Sequence, residues 1–312
     1  MDVLFVGLGS IGTRHLNNLH AIGRRRGIPV HADALRSGTR PLREGAAQLL
    51  RNQYTSVEQL PPRYDAIFIT NPTSMHRDTL AALRGRAETL FIEKPIFDDP
   101  DADLAALGLA DDQGQKAYVA APMRWCGTML ALKEKLPGLR PYSARVICSS
   151  YLPDWRPGVD YRTVYSAHRD LGGGVTIDLI HEWDYLVELF GMPLESYNLR
   201  GTYSDLEIDS DDLSVYIARY PSLLAEVHLD YFGRTYRRTI ELFCQDGTVT
   251  ADFGAGTLTL ADGTVERYEE PVNERYLREM DYFVTYALTG TGPSVNTPAT
   301  ALQVLRLTLG KA

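Results

Sequence analysis

Apolar and polar positions follow two different rhythms along this chain. Residues 3–6 form a short apolar run that stops at glycine, and Ile11, His15, Leu16, Leu19 and Ile22 then recur at helical spacing. Strand-like runs return at 30–35, 65–70, 89–92 and 116–120, and the spacing predicts helices near 41–52, 73–84 and 101–109. Apolar strands separated by helices predict a parallel sheet covered on both faces. After residue 121 the rhythm changes. A strand at 144–152 leads into a polar, aromatic loop and then a helix over 175–190, stopped by Gly191 and Pro193. From 196 to 270 the pattern is mostly strands, with Asp246-Gly247 and Asp262-Gly263 as hairpin turns. Helices over 274–289 and 298–309 close the chain. The fold class expected is α/β: a doubly wound parallel sheet over residues 1–120, then an α+β domain over 121–312 with an open, largely antiparallel sheet.

The length of 312 residues suits two cores rather than one. A net charge of −8 without a long basic run argues against nucleic acid as a partner; Arg24-Arg25-Arg26 reads as the solvated end of a helix. Three scattered cysteines, Cys126, Cys148 and Cys244, lack metal-ligand spacing and fit a reducing compartment. No metal is expected. No apolar stretch approaches the roughly 18 residues of a membrane span, and the first residues lack the basic start of a signal peptide. The expectation is a cytoplasmic protein without membrane contact.

The first strand runs into Gly7-Leu8-Gly9-Ser10-Ile11-Gly12 and then a helix. This is the G-x-G-x-x-G turn of a Rossmann dinucleotide site in its required strand–turn–helix setting. Gly7 permits the tight turn, Gly9 lets backbone approach the pyrophosphate, and Gly12 lets helix and strand pack closely. Ser10 and Ile11 open the helix, whose free N–H groups face the phosphates. The end of the second strand chooses between cofactors. Asp33 has about the spacing of the acid that holds the NAD ribose. Arg36, Ser37 and Arg40 stand where the strand ends and favour the 2′-phosphate of NADP, with NAD as the alternative.

Three further segments are Asn71-Pro72-Thr73-Ser74-Met75-His76, Glu93-Lys94-Pro95, and Gly172-Gly173-Gly174 running on to Asp178, His181 and Glu182. With the glycine turn they resemble the Gfo/Idh/MocA family over nearly the whole chain. The resemblance implies an NAD(P)-dependent oxidoreductase acting on sugars, nucleotide sugars or cyclitols. It implies that Lys94 sits beside the nicotinamide and the substrate hydroxyl, that Asn71, Pro72, His76 and Glu93 line the cofactor, and that Asp178 and His181 complete the catalytic set. The family more often places its histidine one residue later, where this chain has Glu182; on one helix Asp178 faces both, so either is a candidate acid–base group.

Hydride transfer from a carbinol needs a base for the hydroxyl proton, a role open to Lys94, with His181 suited to relay near neutral pH. Arg124, Trp155, Tyr161 and Tyr165 offer the flat rings and directed polar groups that a polyhydroxylated ligand requires. A non-catalytic dinucleotide sensor and an imine or double-bond reductase are the competing readings. The second domain has helices for only one sheet face, so its other face predicts a homodimer or homotetramer.

Overall fold

The computed structural model describes residues 1–36, 38 and 41–311. Ser37 and Arg40, named above for the cofactor phosphate, lie outside the described residues. The chain divides into two compact units, Met1–Pro122 with Asn273–Gln303, and Met123–Val272 with Val304–Ala312. Its helices are α1 (Ser10–Arg26), α2 (His76–Ala82), α3 (Gly127–Lys135), α4 (Val175–Asp178), α5 (His181–Phe190), α6 (Asn273–Thr289) and α7 (Pro298–Thr308). The second boundary differs from a simple cut at 121: α6 belongs to the first unit.

The first unit holds six parallel strands: β1 (Asp2–Val6), β2 (His31–Leu35), β3 (Leu50–Tyr54), β4 (Tyr64–Ile69), β5 (Ala87–Ile92) and β6 (Lys116–Val119). Their order is β3-β2-β1-β4-β5-β6. The order reverses between β1 and β4, the switch point where open α/β sheets leave a crevice beyond their strand ends. Phe5 and Phe68 stack at 4.4 Å between centroids, and Phe283 of α6 meets Phe68 and Phe91 edge-on, each at 5.1 Å. Leu16, Leu19 and Ile22 of α1 complete this face together with Met280 and Val284 of α6. A segment near the chain's end thus covers the sheet, because α6 presents these apolar residues at helical spacing.

Two expected helices are absent. Where 41–52 reads as helical, the chain forms a short 3-10 turn and then β3, which pairs in parallel with β2. The 101–109 segment forms turns. There the Asp103 carboxylate accepts the N–H groups of Ala105 and Ala106 at 2.9 and 3.1 Å, the local bonding by which Asp competes with helix.

The second unit carries eight strands: β7 (Pro141–Tyr151), β8 (Glu195–Gly201), β9 (Leu213–Arg219), β10 (Leu224–Asp230), β11 (Phe232–Cys244), β12 (Gly247–Asp252), β13 (Thr257–Thr259) and β14 (Val265–Arg267). Their order is β14-β13-β12-β11-β7-β10-β9-β8, and only β7 and β10 pair in parallel. Alternation buries Ala144, Val146, Cys148, Val227 and Leu229 on one face, where Trp183 of α5 meets Tyr216 edge-on at 5.1 Å. The single helix expected over 175–190 is broken at Leu179–Ile180 into α4 and α5.

Phe283→Ala should cost the first unit about 3–5 kcal/mol, the usual price of deleting a fully buried ring. Urea denaturation of the full chain, followed by circular dichroism, measures this. A loss below about 1 kcal/mol would mean that α6 does not hold the sheet.

Candidate functional site

Strand pairing continues past the ends of the first sheet and sets four segments side by side. Gly7 N–H donates to Leu35 O at 3.1 Å, Thr70 N–H to Val6 O at 3.0 Å, and Glu93 N–H to Ile69 O at 2.9 Å. Arg36, the Gly7 turn, Thr70-Asn71 and Glu93-Lys94 therefore line the carboxyl edge of β2, β1, β4 and β5.

The turn fits a dinucleotide. Gly7 has φ +86°, and a Cβ there would lie 2.8 Å from Asn71 backbone. A Cβ on Gly12 would lie 2.4 Å from Gly7 O and 2.7 Å from Thr70 Oγ1, whereas Gly9 faces open space. Thr70 Oγ1 donates to Gly7 O at 2.6 Å and so ties β4 to the turn. Helix α1 begins with no side-chain cap and no acid in its first turn. Its first N–H groups, at Ser10, Ile11 and Gly12, lack intrahelical partners and suit a pyrophosphate.

Asp33 takes no part in that edge. It is fully buried within β2, where it accepts both Arg51 Nε and Nη2 at 3.0 and 2.8 Å, Asn52 Nδ2 at 3.1 Å and Tyr64 OH at 3.0 Å. Burial alone would raise its pKa; the Arg51, Tyr64 and Asn52 hydrogen bonds outweigh this and hold it below the ordinary Asp range. Arg36 follows β2 directly. Its N–H donates to Tyr54 O at 2.9 Å and its Nη1 to Gln53 Oε1 at 2.8 Å.

His76, expected to line the cofactor, is instead fully buried. Its ring nitrogens lie 3.0 Å from Ile96 O and 3.0 Å from Asn71 O, and burial lowers its pKa. A neutral ring donates to only one of these carbonyls, so its hydrogen bond braces either the Asn71-Pro72 segment or the segment after Lys94. Asn71 Nδ2 donates to Thr79 Oγ1 at 2.8 Å. Lys94 is partly exposed, and its N–H donates to Glu93 Oε2 at 3.1 Å. Glu93 is buried and bonded to His15 Nε2 at 2.6 Å, a contact that local patterns do not reveal. Burial alone would raise the Glu93 carboxyl, but His15 and then Lys94 hold it below its ordinary value.

In the second unit the glycine run has a packing reason. A Cβ on Gly173 would meet Tyr165 O at 2.1 Å, and one on Gly174, at φ +126°, would meet Asp211 Oδ1 at 2.4 Å. This contact sets α4 against the loop that carries Tyr165. Asp178 is buried and accepts two phenols, Tyr165 OH at 2.7 Å and Tyr231 OH at 2.6 Å. Burial first, and then the Asp178 charge, pushes both phenols up, so they remain donors. Trp155 stands edge-on to Tyr231 at 5.2 Å and donates to Ser150 Oγ. Trp155 and Tyr165 are 37% and 43% exposed, whereas Tyr231, which pattern reading passed over as a strand residue, is fully buried. Tyr161 OH accepts the Glu207 N–H at 3.2 Å.

Two expected site residues have other work. Glu182 is fully buried and paired with Arg238, Nε to Oε1 at 2.6 Å and Nη2 to Oε2 at 3.1 Å. It anchors α5 to β11 and is no longer open as an acid–base group. The break between α4 and α5 leaves His181, at the first position of α5, partly exposed. Arg124 is buried as well. It grips Asp184 with Nε and Nη2 at 2.9 and 2.7 Å and Glu188 with Nη1 at 2.7 Å, so its guanidinium is a structural clamp rather than a substrate contact.

Residues 1–121 match the model of the Gfo/Idh/MocA oxidoreductase family, NAD-binding Rossmann fold. The chain is 25% identical over 321 aligned positions to myo-inositol 2-dehydrogenase of Thermotoga maritima, covering 95% of this chain and 91% of that one. In fold it is similar to UDP-N-acetylglucosamine 3-dehydrogenase from Acidithiobacillus ferrooxidans, with a TM-score of 0.78, 20% identity and coverage of 100% and 96%. It is also similar to levoglucosan dehydrogenase in complex with NADH and levoglucosan, with a TM-score of 0.83, 16% identity and coverage of 99% and 95%. Among the described residues no helix is long and apolar enough to cross a membrane.

Asp33 has a folded-state pKa below its unfolded value. Its stabilisation is therefore complete above the ordinary Asp value of about 3.9 and is lost as pH falls through the lower folded value. Asp33→Asn should lower stability at neutral pH and flatten its decline below about pH 4, as read by thermal melts across pH. Dinucleotide affinity by calorimetry should change less than about threefold, well under the 1.4 kcal/mol of a tenfold step. A tenfold loss would return Asp33 to the ribose.

Proposed function

We propose that this chain is an NAD-binding oxidoreductase of the Gfo/Idh/MocA family and that it oxidises a carbinol, or reduces the matching ketone, of a sugar, nucleotide sugar or cyclitol, with preference for NADP. The observation that carries this reading is the carboxyl edge of the first sheet, where the glycine turn follows β1, Lys94 follows β5, and only β4 separates the two beside the switch point. When bound, the nicotinamide supplies the hydride acceptor or donor. The N–H groups of Ser10, Ile11 and Gly12 hold the pyrophosphate. Arg36 meets the 2′-phosphate, a role supported by its place after β2 and by the diversion of Asp33 to Arg51, Asn52 and Tyr64. Ser37 and Arg40 belong to the same proposal by sequence position.

Lys94 Nζ takes the proton of the substrate hydroxyl during oxidation and returns it during reduction. In the second unit, His181 is the candidate acid–base group, an imidazole suited to proton transfer near neutral pH. It is preferred to Glu182, whose carboxylate is spent on Arg238. Asp178 fixes the Tyr165 hydroxyl, and Trp155, Tyr161 and Tyr165 provide flat faces for a ring-shaped polyol. The relatives named above support this substrate class: their names cite a cyclitol, a nucleotide sugar and an anhydrosugar. A non-catalytic sensor is disfavoured because Lys94 is present.

The test is a panel of cyclitols, sugars, nucleotide sugars and their keto forms, read at 340 nm with NADP and NAD. One member should turn over. Lys94→Ala should then lose roughly a hundred- to ten-thousandfold in turnover, with dinucleotide affinity nearly unchanged. An unchanged rate removes Lys94 from the chemistry, and tenfold tighter NAD binding removes the NADP preference.

The outer face of the second sheet supports self-association. Tyr197 and Leu199 of β8 are 66% and 78% exposed, and Ile217 and Leu224 extend the patch across β9 and β10. Light scattering at micromolar concentration should give at least a dimer of the 34.8 kDa chain, and Leu199→Glu should shift it toward monomer. A wild-type chain that remains monomeric refutes this.

A further inference from the structure

A buried pair of titratable groups lies behind Lys94 and has no part in the steps above. His15 sits one turn into α1, three residues after Gly12, and is fully buried. Its Nε2 meets Glu93 Oε1 at 2.6 Å, and the other Glu93 oxygen accepts the Lys94 N–H at 3.1 Å. A continuous path thus runs from the helix of the phosphate-binding turn, through imidazole and carboxylate, to the backbone of Lys94.

We propose that the His15–Glu93 pair is a positioning device that couples the filling of the Gly7–Gly12 turn to the setting of Lys94. The inference rests on the reading of that turn as the dinucleotide site and of Lys94 as the acid–base group. Three observations carry it. First, the path is stiff. The His15 ring is walled by Phe91 at 4.7 Å and by Tyr276 of α6 at 6.0 Å, with the Arg14 guanidinium 4.6 Å over the Tyr276 ring. Second, the buried His76 ring packs between Ile96 O and Asn71 O, 3.0 Å from each. Lys94 therefore lies between two buried histidines, His15 and His76. Third, a buried charged contact is an expensive way to gain stability, since apolar residues fill such space at least as well. The Nε2–H tautomer satisfies Glu93, while Nδ1 meets no polar partner among the described residues. A polar link kept at that cost, directly behind the lysine, fits transmission better than packing. By linkage, whatever bias the ligand places on Lys94 equals the change that the Lys94 setting makes in the ligand's affinity.

The probe is ADP-ribose, with and without a 2′-phosphate, because it fills the turn but has no nicotinamide to touch Lys94. The five lysines of the full chain are labelled as ¹³C-dimethyl-lysine, and the Lys94 resonance is assigned by its loss in Lys94→Arg. In the wild type the Lys94 resonance should move on saturation. His15→Gln can still donate to Glu93 and should keep that movement. The double variant His15→Leu/Glu93→Gln removes the link without stranding a charge. It should lose at least about half of the movement while its ADP-ribose affinity stays within about threefold, a change worth under the 1.4 kcal/mol of a tenfold step. Glu93→Leu alone, which has no acceptor for His15 and strands no charge, serves if the double variant does not fold. A merely structural pair would lower melting temperature in these variants and leave the movement intact. A wild-type resonance that stays still at saturation overturns the proposal, as does equal movement in the double variant. Failure of the wild type to bind either probe overturns the dinucleotide reading itself, and this inference with it.

Discussion

The constraint on which the first unit depends is the contact between Gly12, Gly7 and Thr70. Helix α1 starts against the ends of β1 and β4 with a gap that a single methyl would close, since a Cβ at Gly12 would lie 2.4 Å from a carbonyl oxygen. That approach places the first N–H groups of α1 over the switch point of the sheet. It also sets the depth at which His15 enters the core, one turn later, and so its reach to Glu93. Pull α1 away by the width of a side chain, and the phosphate cradle, the His15–Glu93 contact and the α1 face that packs with α6 all change together.

The second unit is built on the disposal of charge. Its α5 carries Glu182, Asp184 and Glu188 within two turns. Each is neutralised by a partner distant in sequence: Glu182 by Arg238, Asp184 and Glu188 by Arg124, with Lys133 also on Glu188. Breaking such a buried pair from one side leaves an uncompensated charge, which typically costs about 3–5 kcal/mol. The pairs are therefore strong determinants of where α5 sits, although replacing both partners by apolar groups could be nearly neutral. Asp178 differs in kind. Its partners are the phenols of Tyr165 and Tyr231, neutral donors that orient the carboxylate without cancelling its charge. That leaves a negative, ordered group beside exposed aromatic faces, a setting suited to hydroxyl-rich ligands.

Much of the first unit was legible from residue order because its signals are local. Strand, glycine turn and helix follow one another within residues 2–26, although the close approaches that require Gly7 and Gly12 involve Asn71 and Thr70 at the end of β4. Five of the six parallel strands were legible as apolar runs between turns, the exception being the polar β3, and the hairpins of the second sheet were legible as Asp-Gly pairs. The two missing helices show where local reading fails. From Leu50 the chain pairs with β2 instead of coiling, and in 101–109 the Asp103 carboxylate takes the Ala105 and Ala106 N–H groups in a local turn.

The sequence by itself determined the family pattern, the place of the phosphate turn and the presence of Lys94, Asp178 and His181 in recognisable motifs. The tertiary structure alone decided which neighbouring polar residues are free to act. Asp33 and Glu182 stand at positions that local spacing makes functional, and both are buried in ion pairs with arginines 18 and 56 residues away. Arg124 and His76 are likewise occupied, while Tyr231 and His15 gain roles that no motif announced. The physical reason is that a carboxylate or imidazole takes its character from burial and from the groups that meet it, and those groups arrive from distant parts of the chain only when it folds.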